Sequence, residues 1–277
     1  MNILITGGNG FVGINIVNEI VKNTDWKIVC LINKNFDRIP PHIQKINELS
    51  ELSDAVRFDV IIHAGGNPSS KSCILNPESG FEDNICTTFK ILEYARLTEV
   101  KKIIFLSSCE VYGYATDESC ETDCLKSYNM YGASKVACEH MCSAYYHSYG
   151  ISTVAIRLLN TYGPYCQKER FPSIIKKKFE TECKPHFILS NKTAKRWLDI
   201  EEMARRVVFI IKNMPEGFEI FNFVGDENLT LVEFIDKLSD SKEFTYEYMK
   251  EDISGYHHEG NADGSKFAEF CKKTLYQ

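Results

Sequence analysis

At its seventh residue the chain makes a turn that favours glycine alone. Asn2-Ile3-Leu4-Ile5 reads as a short buried strand, and Gly7-Gly8-Asn9-Gly10-Phe11-Val12-Gly13 follows with a GxxGxxG spacing. Apolar residues at Val12, Ile16, Val17, Ile20 and Val21 then keep the spacing of a helix face. A strand that turns at once into a helix needs positive φ at the turn. Backbone without Cβ atoms also lets N–H groups touch an anion on the positive end of the helix. A glycine pattern by itself is weak, but between a strand and a helix it predicts a dinucleotide pyrophosphate site. Gly7, Gly10, Phe11, Val12 and Gly13 are its expected contacts.

Most of the first 160 residues repeat this alternation. Strands are expected at 27–32, 60–63, 103–106 and 152–157, and helices over 84–97 and 131–149. The strands at 60–63 and 103–106 are nearly continuous apolar runs, as strands buried on both faces require. The expected fold is α/β, a Rossmann doubly wound parallel sheet, with a smaller C-terminal α/β substrate lobe. Gly163-Pro164 marks a change of rhythm, so residues 1–163 are taken as the dinucleotide-binding domain and 164–277 as the lobe, with interleaving allowed. Helical patterns at 172–182, 200–213 and 230–239 surround a short strand at 220–223, and the tail after Ser241 carries no clear pattern.

Composition narrows the function classes. A net charge of -6 gives no general pull toward nucleic acid or an anionic membrane surface. No apolar run approaches the roughly 20 residues that span a bilayer, and the start lacks a signal-peptide pattern. The 11 cysteines form no CxxC pair, so no metal site is expected and Cys120 and Cys124 read as free thiols. A reducing cytoplasm is the expected compartment.

The end of the second strand bears on the cofactor. An acidic residue is expected there to bind the adenosine ribose, yet the chain offers Asn33 and Lys34. A neutral residue followed by a cation removes the repulsion that excludes a 2′-phosphate. The cofactor is therefore NAD(P)(H), with a lean to NADP(H).

Two further motifs carry chemistry. The strand over 103–106 runs into Ser107-Ser108-Cys109-Glu110, and Tyr131-Gly132-Ala133-Ser134-Lys135 follows about twenty residues later. Positions four apart share a helix face, so Tyr131 and Lys135 can share a site. A free phenol, with a pKa of about 10, is a poor base near neutral pH. A neighbouring ammonium and the positive nicotinamide ring favour the phenolate. Tyr131 can then exchange a proton with a sugar oxygen that Ser108 also holds. A lone Tyr-x-x-x-Lys is usually a surface pair; here the glycine turn and the serine strand stand in the order the chemistry demands.

These motifs resemble the extended short-chain dehydrogenase/reductase family of nucleotide-sugar epimerases, dehydratases and reductases. The likeness continues through His63-Ala64-Gly65-Gly66, Asn84, Tyr112-Gly113, Arg157 to Pro164, Lys195 to Ile200 and Asp263 to Lys266. It implies a catalytic trio of Ser108, Tyr131 and Lys135, cofactor contacts that add Ala64, Gly65, Tyr131 and Lys135, and a substrate contact at Asn160. Family members place an Arg where Lys195 stands, to grip the nucleotide diphosphate; Lys195 or the adjacent Arg196 is expected to serve. The Asp that family members hold near the adenine is replaced, with Asn47 in its region.

The resemblance also frames the reaction. Sugar-nucleotide 4,6-dehydratases carry Thr-Asp-Glu where this chain has Ser108-Cys109-Glu110, so Glu110 is a candidate catalytic carboxylate beside a weak acid. The expectation is an NADPH-dependent reductase of a nucleotide-linked 4-keto-6-deoxy sugar. An NAD-dependent epimerase or 4,6-dehydratase is the alternative, and a non-catalytic cofactor sensor a third reading. A homodimer through the helices at 84–97 and 131–149 is implied by the family.

Overall fold

The computed structural model describes every residue except 33–37, 54–55, 114–117, 191–193, 250–260 and 276–277. The first half runs β1 (Asn2–Thr6), α1 (Phe11–Asn23), β2 (Lys27–Leu31), β3 (Gln44–Ile46) and β4 (Val60–His63). Two short helices, α2 (Ser70–Leu75) and α3 (Pro77–Gly80), lead through a π-helical turn at Phe81–Cys86 into α4 (Thr87–Leu97). Then come β5 (Lys102–Ser108), α5 (Met130–Tyr149) and β6 (Ser152–Leu158). The second half contains β7 (Thr161–Tyr162), α6 (Phe171–Thr181), β8 (His186–Leu189), β9 (Lys195–Arg196), β10 (Leu198–Asp199) and α7 (Ile200–Lys212). It ends with β11 (Phe218–Phe223), β12 (Asn228–Leu229), α8 (Leu231–Leu238), β13 (Thr245–Tyr248) and α9 (Ser265–Leu275).

Seven strands form one parallel sheet in the order β3-β2-β1-β4-β5-β6-β11. The period-2 alternation of β1 explains its two covered faces. Ile3 and Ile5 enter one apolar layer with α1 and α7, while Leu4 enters the other with α4 and α5. Fully burying such a side chain is worth about 1.5–3 kcal/mol, so both faces must be covered. The chain steps outward from β1 to β3 and then crosses back to β4, which pairs with β1 through Thr6 and His63. That reversal leaves a crevice at the carboxyl ends of β1 and β4, where open α/β sheets bind ligands.

Residues beyond 164 serve both layers. β11 pairs with β6 in register from Phe218–Thr153 to Phe223–Leu158, and α7 packs on α1. α6, β8 and α8 form a separate aromatic cluster, where Trp197 stacks on Phe234 at 3.9 Å between ring centroids.

The helix expected over 84–97 begins earlier than its pattern suggested. α3 and the π turn precede it, and the extra residue of the turn brings Asn84 inward, where only 2% of it is exposed. The short β3 and the tail helix α9 escaped the periodicity, because each buries only one residue. Among the described residues no helix is long and apolar enough to cross a membrane.

Candidate active site

The glycine turn lies at the crevice. Gly7 has φ +66°, and a Cβ there would stand 2.7 Å from the Ala64 carbonyl oxygen and 2.8 Å from Gly65 Cα. Its missing side chain is what lets β1 and β4 converge. Gly10 caps α1 without a side-chain hydrogen bond, and the first turn holds no acidic residue. The positive end of α1, at Phe11, Val12 and Gly13, is therefore left to an external anion, which fits the pyrophosphate of a dinucleotide. The Gly65 N–H is held by Thr6 Oγ1 at 3.0 Å, so Gly65 contributes close approach rather than a donor. Asn33 and Lys34 lie outside the described residues. Asn47 stands on an exposed turn after β3, its backbone N–H bound to Glu51 at 2.7 Å.

Behind this turn, Thr6 Oγ1 and His63 Nδ1 are 2.6 Å apart, and His63 Nε2 is 3.0 Å from Thr88 Oγ1. Burial, reinforced by the charge of Lys135, pushes the His63 pKa down to about 3. His63 is thus a neutral strut, a role that its place in the resemblance did not disclose.

Ser108, Tyr131 and Lys135 meet at the end of β5. The Ser108 hydroxyl lies near enough to the Tyr131 phenol to favour its ionised form. Lys135 Nζ donates to the Leu106 carbonyl oxygen at 2.9 Å and lies 5.9 Å from the centre of the Tyr131 ring. All three side chains are at least nine-tenths buried. Burial raises the Tyr131 pKa, with the nearby Ser108 hydroxyl opposing the rise and the Glu110 charge adding to it. Burial likewise lowers that of Lys135. Burial thus disfavours the charged form of each group.

The helix that carries them is aimed by its first turn. Asn129 Oδ1 accepts from the Gly132 N–H at 2.9 Å, and a Cβ on Gly132 would lie 2.6 Å from the Glu110 carbonyl oxygen. Ser134 Oγ donates to the Tyr131 carbonyl at 2.7 Å and accepts from Asn84 Nδ2 at 2.9 Å. The π turn thereby locks the first turn of α5, a contact with no signature in the sequence.

Glu110 stands beside the trio with its carboxylate engaged. Ser70 Oγ donates to one oxygen at 2.5 Å and Asn129 Nδ2 to the other at 2.7 Å. The neighbouring Cys109 thiol is buried and donates to the Arg157 carbonyl oxygen at 3.5 Å.

On the lobe side, Asn160 adopts φ +40°, strained for a residue other than glycine, and its Nδ2 is buried without a hydrogen-bond partner among the described residues. Trp197 Nε1 shares that state. Arg196 is held by Glu118 at 2.8 Å and by the carbonyls of Gly225 and Asp226 at 3.3 and 3.0 Å. Lys195 lies half-buried on the adjacent position of β9.

Comparison with known proteins follows from this geometry. The model of the NAD dependent epimerase/dehydratase family matches residues 3–223. A dTDP-glucose 4,6-dehydratase from Shigella flexneri is 26% identical over 86% of this chain and 78% of its own. One from Salmonella typhimurium is 29% identical over 81% and 72%. Among solved structures, a UDP-N-acetylglucosamine 4-epimerase from Methanobrevibacter ruminantium superposes with a TM-score of 0.82 at 22% identity, covering 96% of this chain and 90% of that one. A dTDP-glucose 4,6-dehydratase from Streptomyces venezuelae with NAD bound also gives 0.82, at 21% identity, covering 97% and 90%. At such identities the structures establish the fold.

Proposed function

The chain belongs to the NAD-dependent epimerase/dehydratase family, and on that premise we propose that it moves a hydride reversibly at a carbinol of a nucleotide-linked sugar, epimerising it without loss of water. One observation carries this reading: Tyr131, Ser108 and Lys135 are assembled, while the side chain after Ser108 is a buried thiol rather than an acid. When bound, the dinucleotide supplies the hydride acceptor and donor. Tyr131 takes the proton of the sugar hydroxyl and returns it when the carbonyl is reduced from its other face. Ser108 holds the same oxygen. Lys135, anchored on Leu106, lowers the cost of the phenolate.

Water elimination needs a second acid–base pair. Cys109 is a poor acid facing the Arg157 carbonyl, and both Glu110 oxygens accept hydrogen bonds. This arrangement supports a positioning role for Glu110 in aiming α5. A second reading is NADPH-dependent reduction of a 4-keto-6-deoxy sugar. It draws on Asn33 and Lys34, which replace the ribose-binding carboxylate and favour NADP(H).

In both readings Asn160 Nδ2 donates to a substrate oxygen, which supplies its missing partner. Lys195 or the adjacent Arg196 grips the diphosphate, Lys195 as a point charge and Arg196 with the geometry for two bonds. Residues 1–163 with α7 and β11 bind the dinucleotide, and the rest of 164–277 binds the nucleotide sugar. Phe81 and Phe89, about half exposed beside α5, are assigned to the contact of a homodimer.

The test is incubation of purified protein with UDP- and dTDP-linked hexoses and NAD, and separately with 4-keto sugar nucleotides and NADPH. Appearance of the epimer without net change in cofactor absorbance is the expected result. NADPH oxidation confined to the 4-keto substrates selects the reductase, and a 4-keto-6-deoxy product from a hexose defeats both.

A further inference from the structure

Directly beneath the catalytic trio lies a buried ion pair with no part in the proton transfers above. Glu139 and Arg157 are 3% and 1% exposed. Arg157 meets the carboxylate through two bonds, Nε to Oε1 at 3.0 Å and Nη2 to Oε2 at 2.7 Å. Ser107 Oγ donates to the same Oε1 at 2.5 Å. Arg157 Nη1 then donates to the Tyr112 hydroxyl at 2.7 Å, and Tyr112 donates to Asn222 Oδ1 at 2.7 Å. Asn222 Nδ2 closes the chain on the carbonyls of Ser119 and Asp263, at 3.1 and 3.0 Å.

The places of these residues in the sequence give the network its meaning. Glu139 follows Tyr131 and Lys135 by eight and four residues on one α5 face. Ser107 immediately precedes Ser108 on β5. A single carboxylate therefore joins the helix bearing the phenol and ammonium to the strand bearing the serine, and Arg157 neutralises it from β6.

We propose that Glu139, with Arg157 as its counter-ion, is a positioning residue for the catalytic trio, fixing α5 against the end of β5 through Ser107. The proposal rests on the trio's assigned role in hydride transfer on a nucleotide sugar. A buried ion pair seldom adds net stability over an apolar filling of the same volume, whereas its directional bonds fix geometry. The chemistry is sensitive to such geometry, since a misplacement of about 1 Å can cost on the order of a hundredfold in rate. The negative charge one turn beyond Lys135 also favours the ammonium, opposing the burial that disfavours it.

The test compares three variants with the wild type. Ser107→Ala cuts the link between helix and strand and leaves the ion pair intact. Its kcat is expected to fall about tenfold, with KM, NADH affinity and melting temperature little changed, and Ser107→Thr is expected to restore it. Glu139→Gln leaves Arg157 without its counter-charge. The ε-carbon NMR signal of Lys135, identified by its loss in Lys135→Met, is then expected to titrate at lower pH than in wild type. The paired Glu139→Leu/Arg157→Leu replacement keeps the site apolar and neutral if the single variant does not fold, and it should be as slow as Ser107→Ala. Wild-type kcat in Ser107→Ala or in the paired variant overturns the proposal, as does an unmoved Lys135 titration. The Lys135 titration needs no substrate, so a wild-type protein that turns over no nucleotide sugar defeats the functional reading alone.

Discussion

The two sides of the crevice are built by different means. On the side proposed to hold the cofactor, β1, β4, β5 and β6 are held by continuous parallel ladders, and the side chains proposed to do the chemistry sit at strand ends or on the first turns of α5. On the lobe side, β7, β9, β10 and β12 are two residues long, and packing of Trp197, Tyr162 and Phe171 around Phe234 takes over from backbone pairing. A ladder fixes the backbone of every residue along it, Ser107 and Ser108 at the end of β5 among them. An aromatic cluster fixes a shape but leaves its rim variable. Under the proposed function, reaction type belongs to the rigid side and substrate choice to the adaptable one.

Acid should separate the two sides most strongly. His63 has its folded-state pKa lowered to about 3 from an ordinary 6.5. Its contribution is whole above pH 6.5 and is lost as pH falls toward 3, because the unfolded chain binds the extra proton. The full span amounts to about 5 kcal/mol. The chain's two tryptophans report the sides separately, Trp26 against the first sheet layer and Trp197 in the lobe. Fluorescence of Trp197→Phe, read through Trp26, should show denaturant midpoints dropping across this window, and His63→Gln should flatten the slope. A wild-type midpoint constant from pH 6.5 to 4 breaks the account of the rigid side.

Next in size is Tyr131→Phe. Loss of a general acid–base group costs on the order of 10³-fold in kcat, while the NADH dissociation constant should stay within about threefold, because α1 and the glycine turn are untouched. Retention of a tenth of wild-type turnover would remove the phenol from the mechanism. The smallest effect is expected in the lobe. Trp197→Ala removes the ring stacked on Phe234, at a cost of about 2 kcal/mol for a partly exposed site. It should raise KM for the nucleotide sugar and leave NADH binding alone. An equal loss of NADH affinity would show the two sides to be one cooperative unit.

The sequence by itself determined much of the rigid side. The glycine turn, the apolar runs of β4 and β5, and the Tyr131–Lys135 spacing are local signals, because strand burial, turn conformation and helix periodicity are properties of short segments. The tertiary structure decided what depends on segments far apart. Asn84 turns inward on Ser134 through a π turn that no periodicity marks. Glu110 is tied to Ser70 and Asn129, 40 and 19 residues away. Arg196 is tied to Glu118, 78 residues distant. Glu139 stood in plain view one turn past Lys135, yet only the convergence of β5, α5 and β6 gave it Ser107 and Arg157 as partners. A hydrogen bond is set by the last ångström of approach, and that distance exists only once the layers have packed.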